Sequence, residues 1–272
     1  MLMENLGLTL DIDMRQPAIY LSHGAPTFML EENATTLFWQ SLPVLLPATP
    51  RAILCVSAHW DAPQLRISGT LGKTGIQHDF HGFPKALYDI TWDEHENREI
   101  SAWLLRSLHE LMVDVHEDIR PKDHGVWVPL KTAWPAPDFP VYQLSLNLAQ
   151  GLDSHWNLGQ KLQALRDDGV LIIGSGGITH NLHALDWNAA ENSAVPWASA
   201  FVEEVEQAIA SNDRAALCQP WQFSYGRECH PTIEHYAPLL VVMGAADGEP
   251  VEVLHRAWRY GTFALNAYGA GL

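Results

Sequence analysis

Three things are scarce in this sequence, and each scarcity removes a class of function. Basic charge is the first: 16 Lys and Arg stand against 32 Asp and Glu, for a formal net charge of −16. Nucleic-acid and anionic-membrane partners call for a basic patch, so neither is expected. The acids are scattered, as in "DEHENRE" and "VEEVEQ", and read as a solvated surface rather than a tail. Long apolar runs are the second scarcity: no window offers the roughly 18 uninterrupted apolar residues of a transmembrane helix. The first residues, "MLMENLGLTLDIDMRQP", carry acids where a signal peptide has basic residues, so none is expected. Cysteine is the third. Cys55, Cys218 and Cys229 form no CxxC pair and no even framework, which predicts a reduced, cytoplasmic setting.

What is present is enough to build a large interior. The chain has 272 residues, 47% of them apolar. Strands are predicted at 18–22, 52–58, 112–117, 141–146, 170–175 and 262–268. The unbroken apolar runs Ala52–Val56 and Val170–Ile173 suit strands buried on both faces. Between them lie helical spacings: Leu104, Leu108 and Leu111; Leu158, Leu162 and Leu165; Trp197, Phe201, Val205 and Ile209. This alternation predicts an α/β fold: a central, mostly parallel mixed sheet flanked by helices, with the active site at the C-terminal edge of the strands. No repeat or long polar linker divides the chain, so residues 1–272 read as one catalytic domain.

Histidine and tryptophan are in excess, 14 and 11 residues, more than a core needs. The histidines fall at telling places. "AIYLS" runs into His23, "AILCVSA" into His59, and "VLIIGSGG" reaches His180 a few residues on. Three strands each delivering an imidazole to the same sheet edge predict a convergent site. Neutral imidazole is the commonest side-chain ligand for first-row metals, so Fe(II) or Zn(II) is the expected occupant. A further ligand comes from "HPTIEHYAPLL" (230–240). Thr232 reads as an N-cap with helix from Ile233, interrupted by Pro238; Glu234 and His235 then sit in the first turn about 100° apart. One of the two faces the metal, and the spacing does not choose.

Other motifs fill in the surroundings. "KDHGVWVPL" puts His124 in a short turn beside Asp123, a carboxylate placed to orient it. "GSGG" (174–177) lacks the G-x-G-x-x-G continuation and a Walker lysine, so nucleotide binding is not expected. Its glycines are predicted to fold the backbone tightly so that His180 reaches inward. "QHDFHGFPKALYDI" (77–90) is either an ordinary loop packing Phe80, Phe83 and Tyr88 or an aromatic wall for a flat substrate. Trp60 and Trp127 fit the second picture.

Taken together, "LSHGAPT", "VSAHW", "HDFHGFPKALYDI", "DHGVWVPL", "GSGGITHNL" and "PTIEHYAPLL" resemble the class III extradiol ring-cleaving dioxygenases, in the branch that acts on DOPA and related catechols. The motifs cover residues 17–268 in the family's order and leave residues 1–16 as an N-terminal extension. The resemblance implies a single α/β domain and non-haem Fe(II), with zinc also found in such sites. It implies His23, His59 and His235 as metal ligands, with Glu234 the alternative third ligand. His180 would be catalytic base, or fourth ligand to zinc, and His124 would meet the substrate and assist proton transfer. The implied reactants are a small aromatic diol and O2. Two rival functions remain on the residues alone: a zinc hydrolase, although HExxH and the deaminase HxE…PCxxC are absent, and a non-enzymatic metal-binding protein.

Overall fold

The structure, a computed structural model, describes residues 15–272. Of the N-terminal extension read as residues 1–16, only Arg15 and Gln16 fall inside that range. The strands are β1 (Ala18–Ser22), β2 (Ala52–Asp61), β3 (Arg66–Ser68), β4 (His116–Asp118), β5 (Val141–Leu146), β6 (Val170–Gly176), β7 (Val251–His255), β8 (Trp258–Arg259), β9 (Phe263–Ala264) and β10 (Ala267–Ala270). The α-helical segments are α1 (Ala34–Leu45), α2 (Lys85–Tyr88), α3 (Arg98–Glu110), α4 (His124–Ala133), α5 (Leu152–Asp167), α6 (Pro196–Ala210), α7 (Arg214–Leu217), α8 (Gly226–Cys229) and α9 (Ala237–Ala246).

Eight strands form one mixed sheet in the order β4-β3-β5-β2-β6-β1-β10-β7. Its centre, β5-β2-β6-β1, is parallel, while β3 joins β5 and β10 joins β1 antiparallel. The expected α/β architecture is what the chain adopts. The apolar runs explain it: alternate residues of β1, β2 and β6 feed opposite faces. Tyr20, Leu54 and Ile172 pack into one core, while Leu21, Cys55 and Ile173 pack into the other. Helices α3, α5, α6 and α9 cover the first face; α1 and α4 cover the second.

Where α5 crosses α9, a Cβ on Gly159 would stand 2.0 Å from the Val241 carbonyl oxygen, and one on Gly244 would stand 2.1 Å from the Trp156 carbonyl oxygen. The backbones meet only because these two residues have no side chain. All ten residues of α9 are buried, and its length of ten residues is far short of a membrane span. Among the described residues no helix is long and apolar enough to cross a membrane.

Several boundaries differ from expectation, each for a local reason. The strand predicted at 112–117 begins only at His116, because Met112 takes φ 55° in the turn that ends α3. The strand predicted at 262–268 is two short ones, β9 and β10, broken at Leu265–Asn266. The helix predicted from Ile233 with a Thr232 cap starts instead at Ala237, and Pro238 lies in its first turn. Proline is favoured there, since its missing N–H would have had no partner anyway. Glu234 and His235 therefore belong to a tight turn ahead of α9.

Candidate metal centre and active site

The four parallel strands end on one edge, and the predicted histidines meet there. His23 follows β1 directly. Gly24 takes φ +65°, and a Cβ on it would sit 2.8 Å from the Phe28 ring, so glycine is needed to turn the chain here. Pro26 then opens the short 3-10 helix 26–30. His59 lies within β2, which runs on past the expected end to Asp61. One ring nitrogen each of His23, His59 and His235 lies within 4.8 Å of the others. The Nε2 atoms of His23 and His59 are 3.0 Å apart.

Hydrogen bonds orient these rings. Ser175 Oγ donates its only proton to the Gly125 carbonyl, so at 2.9 Å it must accept from His23 Nδ1–H. His23 therefore offers a lone pair at Nε2. His235 Nδ1–H donates to Glu234 Oε1 at 3.1 Å, and the same carboxylate oxygen accepts from Thr232 Oγ at 2.9 Å. His235 Nε2 is buried with no hydrogen-bond partner among the described residues, a costly state for a polar atom unless a cation takes its lone pair. Converging imidazoles with fixed outer partners are the donor set for a first-row metal. The residues present fit one.

The glycines of "GSGG" serve a different histidine from the one expected. Residues 174, 176 and 177 all have negative φ. A Cβ on Gly176 would lie 2.1 Å from the His235 carbonyl oxygen, and one on Gly174 would lie 2.4 Å from that of Pro238. They let the 235–238 segment lie against β6, so they seat His235 rather than aim His180. His180 stacks on His235, with ring centroids 3.3 Å apart and planes 7° from parallel. It belongs to a neighbouring cluster with Glu234 and His235, not to the group formed by His23 and His59.

His124 is the first residue of α4 rather than part of a free turn. The carboxylate that orients it is Asp79, 45 positions away. Asp79 Oδ1 accepts the His124 backbone N–H at 3.0 Å, and Oδ2 accepts Nδ1–H at 3.0 Å. The neighbouring Asp123 points away, accepting from Ser57 Oγ at 2.7 Å and from Gln143 Nε2. Burial works to raise the Asp79 carboxyl, but hydrogen bonds and charge from His124 outweigh it and hold it below the usual carboxylate range. Asp79 Oδ2 also stands 4.0 Å from His59 Nδ1. Sequence reading singled out the "HDF" segment for its aromatics; its aspartate was overlooked.

A cavity of about 370 Å³ opens over this edge. His23, His59, His124, His180 and His235 form one end. From the 77–90 loop, Phe80 and Phe83 line it and Tyr88 does not. Trp60 and Trp127 do not: both are buried, and Trp127 Nε1–H donates to the Gln77 carbonyl at 3.0 Å, supporting the loop from beneath.

Burial keeps His23, His59, His180 and His235 neutral. It lowers His59 to about 3 and His180 to about 4, and it holds His23 and His235 well below their ordinary value, with neighbouring imidazoles adding to the effect. His230, which donates Nε2–H to the Ile178 carbonyl at 2.7 Å, is likewise lowered by burial to about 4. An unfolded histidine takes its proton near 6.5, so between that pH and 4 the unfolded chain binds more protons. Stability is then complete above pH 6.5 and falls as the pH drops; His230 alone contributes roughly 3 kcal/mol to the fall. Melting chelator-treated protein from neutral pH down to about pH 4.5 should show a Tm declining throughout. A flat profile would contradict neutral burial.

Fold and site together define a class: α/β enzymes with a histidine cluster suited to a metal at the C-terminal edge of a parallel sheet. Residues 16–270 match the family described as the catalytic LigB subunit of aromatic ring-opening dioxygenase, and the chain belongs to that family. It is 36% identical over 243 residues to the 4,5-DOPA dioxygenase extradiol of Escherichia coli (strain K12), covering 88% of this chain and 89% of that one. The protein of the same name from Beta vulgaris is 31% identical over 273 residues, 94% and 97% of the two chains. Among solved structures, that of uncharacterized protein JW3007 from Escherichia coli K12 superposes with a TM-score of 0.77 at 30% identity, covering 94% of this chain and all of that one. The expectation of a ring-cleaving extradiol dioxygenase is met at the level of the family.

Proposed function

We propose that this protein opens the ring of a catechol-type diol with O2, using Fe(II) held by His23, His59 and His235. The observation that carries the assignment is His235 Nε2, a buried lone pair with no partner among the described residues, close to two further imidazoles. Bound there, Fe(II) would supply the redox coupling between ring and oxygen that Zn(II), with no accessible redox change, does not.

The protein's own contribution is orientation and proton handling. Ser175 and Glu234 hold His23 and His235 with Nε2 free. Asp79, 4.0 Å from His59 Nδ1, favours a proton on that nitrogen and so frees its Nε2. His180 is neutral, and an unprotonated ring nitrogen accepts the proton a diol loses as it binds. His124, with Nδ1–H committed to Asp79, presents Nε2 to the cavity as the second proton carrier. Phe80 and Phe83 hold the flat ring and keep water from it. Both oxygen atoms end in the product, a muconic-semialdehyde-type chain cleaved beside the diol.

Loading the protein anaerobically with Fe(II), then adding a catechol panel and O2, should give oxygen uptake and a yellow product. No uptake with any catechol would sink the reading. Asp79→Asn should lower kcat/KM by about 10²-fold or more, since both His124 groups that face Asp79 are donors and an amide has only one acceptor oxygen. A loss under about threefold would mean that His124 needs no orienting partner.

A further inference from the structure

The histidines occupy one end of the cavity only. Most of the rest of the wall is apolar, with Phe80, Phe83, Leu182, Leu185 and Phe263 among it, and its hydroxyls are those of Thr27 and Tyr260. Among the described residues, no Lys, Arg, Asp or Glu lines it, and residues 1–14 contain no Lys, Arg or His to add. The cations closest along the chain to lining residues are committed elsewhere. Lys85 pairs with Asp89 at 2.8 Å, Lys122 with Glu94 at 2.7 Å, and Arg120 donates to the His59 carbonyl at 3.1 Å. Arg259 pairs with Glu191 at 2.8 Å and with Glu31 at 3.1 Å.

The mouth of the cavity is apolar too, where a solvated loop would ordinarily be polar. Leu182 and Trp187 are 59% and 70% exposed there. Exposed apolar side chains gathered at a pocket rim mark a surface that meets an apolar ligand. Tyr260 adds to this at the expense of its backbone. It takes φ 53°, a left-handed conformation that a tyrosine adopts only when its surroundings impose it. Gly261 at φ +70° and the Asp186 N–H, donating to the Tyr260 carbonyl at 2.9 Å, hold that turn. The result brings the Tyr260 ring to 4.6 Å from that of Trp187.

Resting on the ring-opening reading, we infer that the diol's ring substituent is uncharged and apolar: the protein selects alkyl- or aryl-substituted catechols over those bearing a carboxylate or an amino-acid group. A carboxylate against this wall gives up hydration and gains no counter-charge. Each methylene buried there instead improves affinity roughly fourfold. The net charge of −16 works in the same direction, against the approach of anions. At about 370 Å³ the cavity is at the small end of ligand pockets, room for one ring with a short tail.

The test compares methylcatechol, butylcatechol, L-DOPA and dihydrocaffeate as substrates of the Fe(II)-loaded protein. The expected kcat/KM rises from methyl to butyl and exceeds that for L-DOPA and dihydrocaffeate by about 100-fold. Leu182→Arg should shift the ratio of dihydrocaffeate to butylcatechol at least about tenfold toward the acid. Turnover of L-DOPA or dihydrocaffeate as fast as butylcatechol, or an unmoved ratio in that variant, overturns the inference. Anaerobic calorimetry on the metal-free protein separates this from the reaction itself. If no catechol is consumed yet butylcatechol binds at least about tenfold tighter than dihydrocaffeate, the selectivity stands and the ring-opening reading fails. Equal binding of the two overturns the selectivity whatever the activity.

Discussion

His235→Ala should abolish ring opening and metal retention together. The loss should exceed about 10³-fold, because removing even an outer hydrogen-bond partner of a metal ligand typically costs 10–100-fold. His235 is the most telling of the three ligands to remove. Its Nε2 has no hydrogen-bond partner among the described residues, while its Nδ1–H is fixed by Glu234. Alanine also releases Glu234, whose carboxylate sits in the cluster with His180 and is otherwise held by Thr232 and His235. The check is metal content after dialysis, read beside oxygen uptake. If His235→Ala keeps its metal and Glu234→Ala loses it, the third ligand is the carboxylate, and the role given to His235 is wrong.

Gly176→Ala should unseat the same histidine without touching it. The added methyl would lie 2.1 Å from the His235 carbonyl oxygen, a backbone atom that cannot swing aside as a side-chain tip can. Overpacking of this kind costs about 3 kcal/mol or more, which lowers the Tm of a chain this size by roughly 6–12 °C. The variant should bind metal poorly even at temperatures where it stays folded, because relief of the clash moves the 235–238 segment off β6. Gly177→Ala is the control. Its nearest contact would be the Thr179 carbonyl oxygen at 3.3 Å, and its φ is not positive, so it should melt close to the parent. Equal, mild effects in the two variants would mean that the close approach of His235 to β6 does not matter.

Much of this site was legible in the sequence because it is built on buried strands. Ala18–Ser22, Val141–Leu146 and the start of β2 and β6 fall where apolar runs predicted them, since strands buried on both faces carry an unmistakable composition. A histidine at the end of such a strand inherits its address, which is how His23, His59 and His180 could be placed on one edge. What could not be read depended on tertiary contact. Asp79 is 45 positions from the imidazole it holds, whereas Asp123 is adjacent and faces the other way. The purpose of Gly174 and Gly176 becomes visible only when α9 and the turn before it lie across β6. The edge strand β7 is only partly buried and β3 is three residues long, so neither carries the apolar run that marks the centre. Pro238, which reads in the sequence as an interruption, sits instead in the first turn of a helix that starts at Ala237.

The most direct measurement of the central claim is the fate of molecular oxygen. Fe(II)-loaded protein turning over butylcatechol under heavy-isotope oxygen gas should place both labelled atoms in the opened product, provided its aldehyde is trapped by reduction before exchange with water. Zinc-loaded protein should make none. An opened product carrying no label, or one formed equally well by the zinc-loaded protein, would contradict ring opening by a dioxygenase at this histidine cluster and favour a hydrolytic metal site in its place.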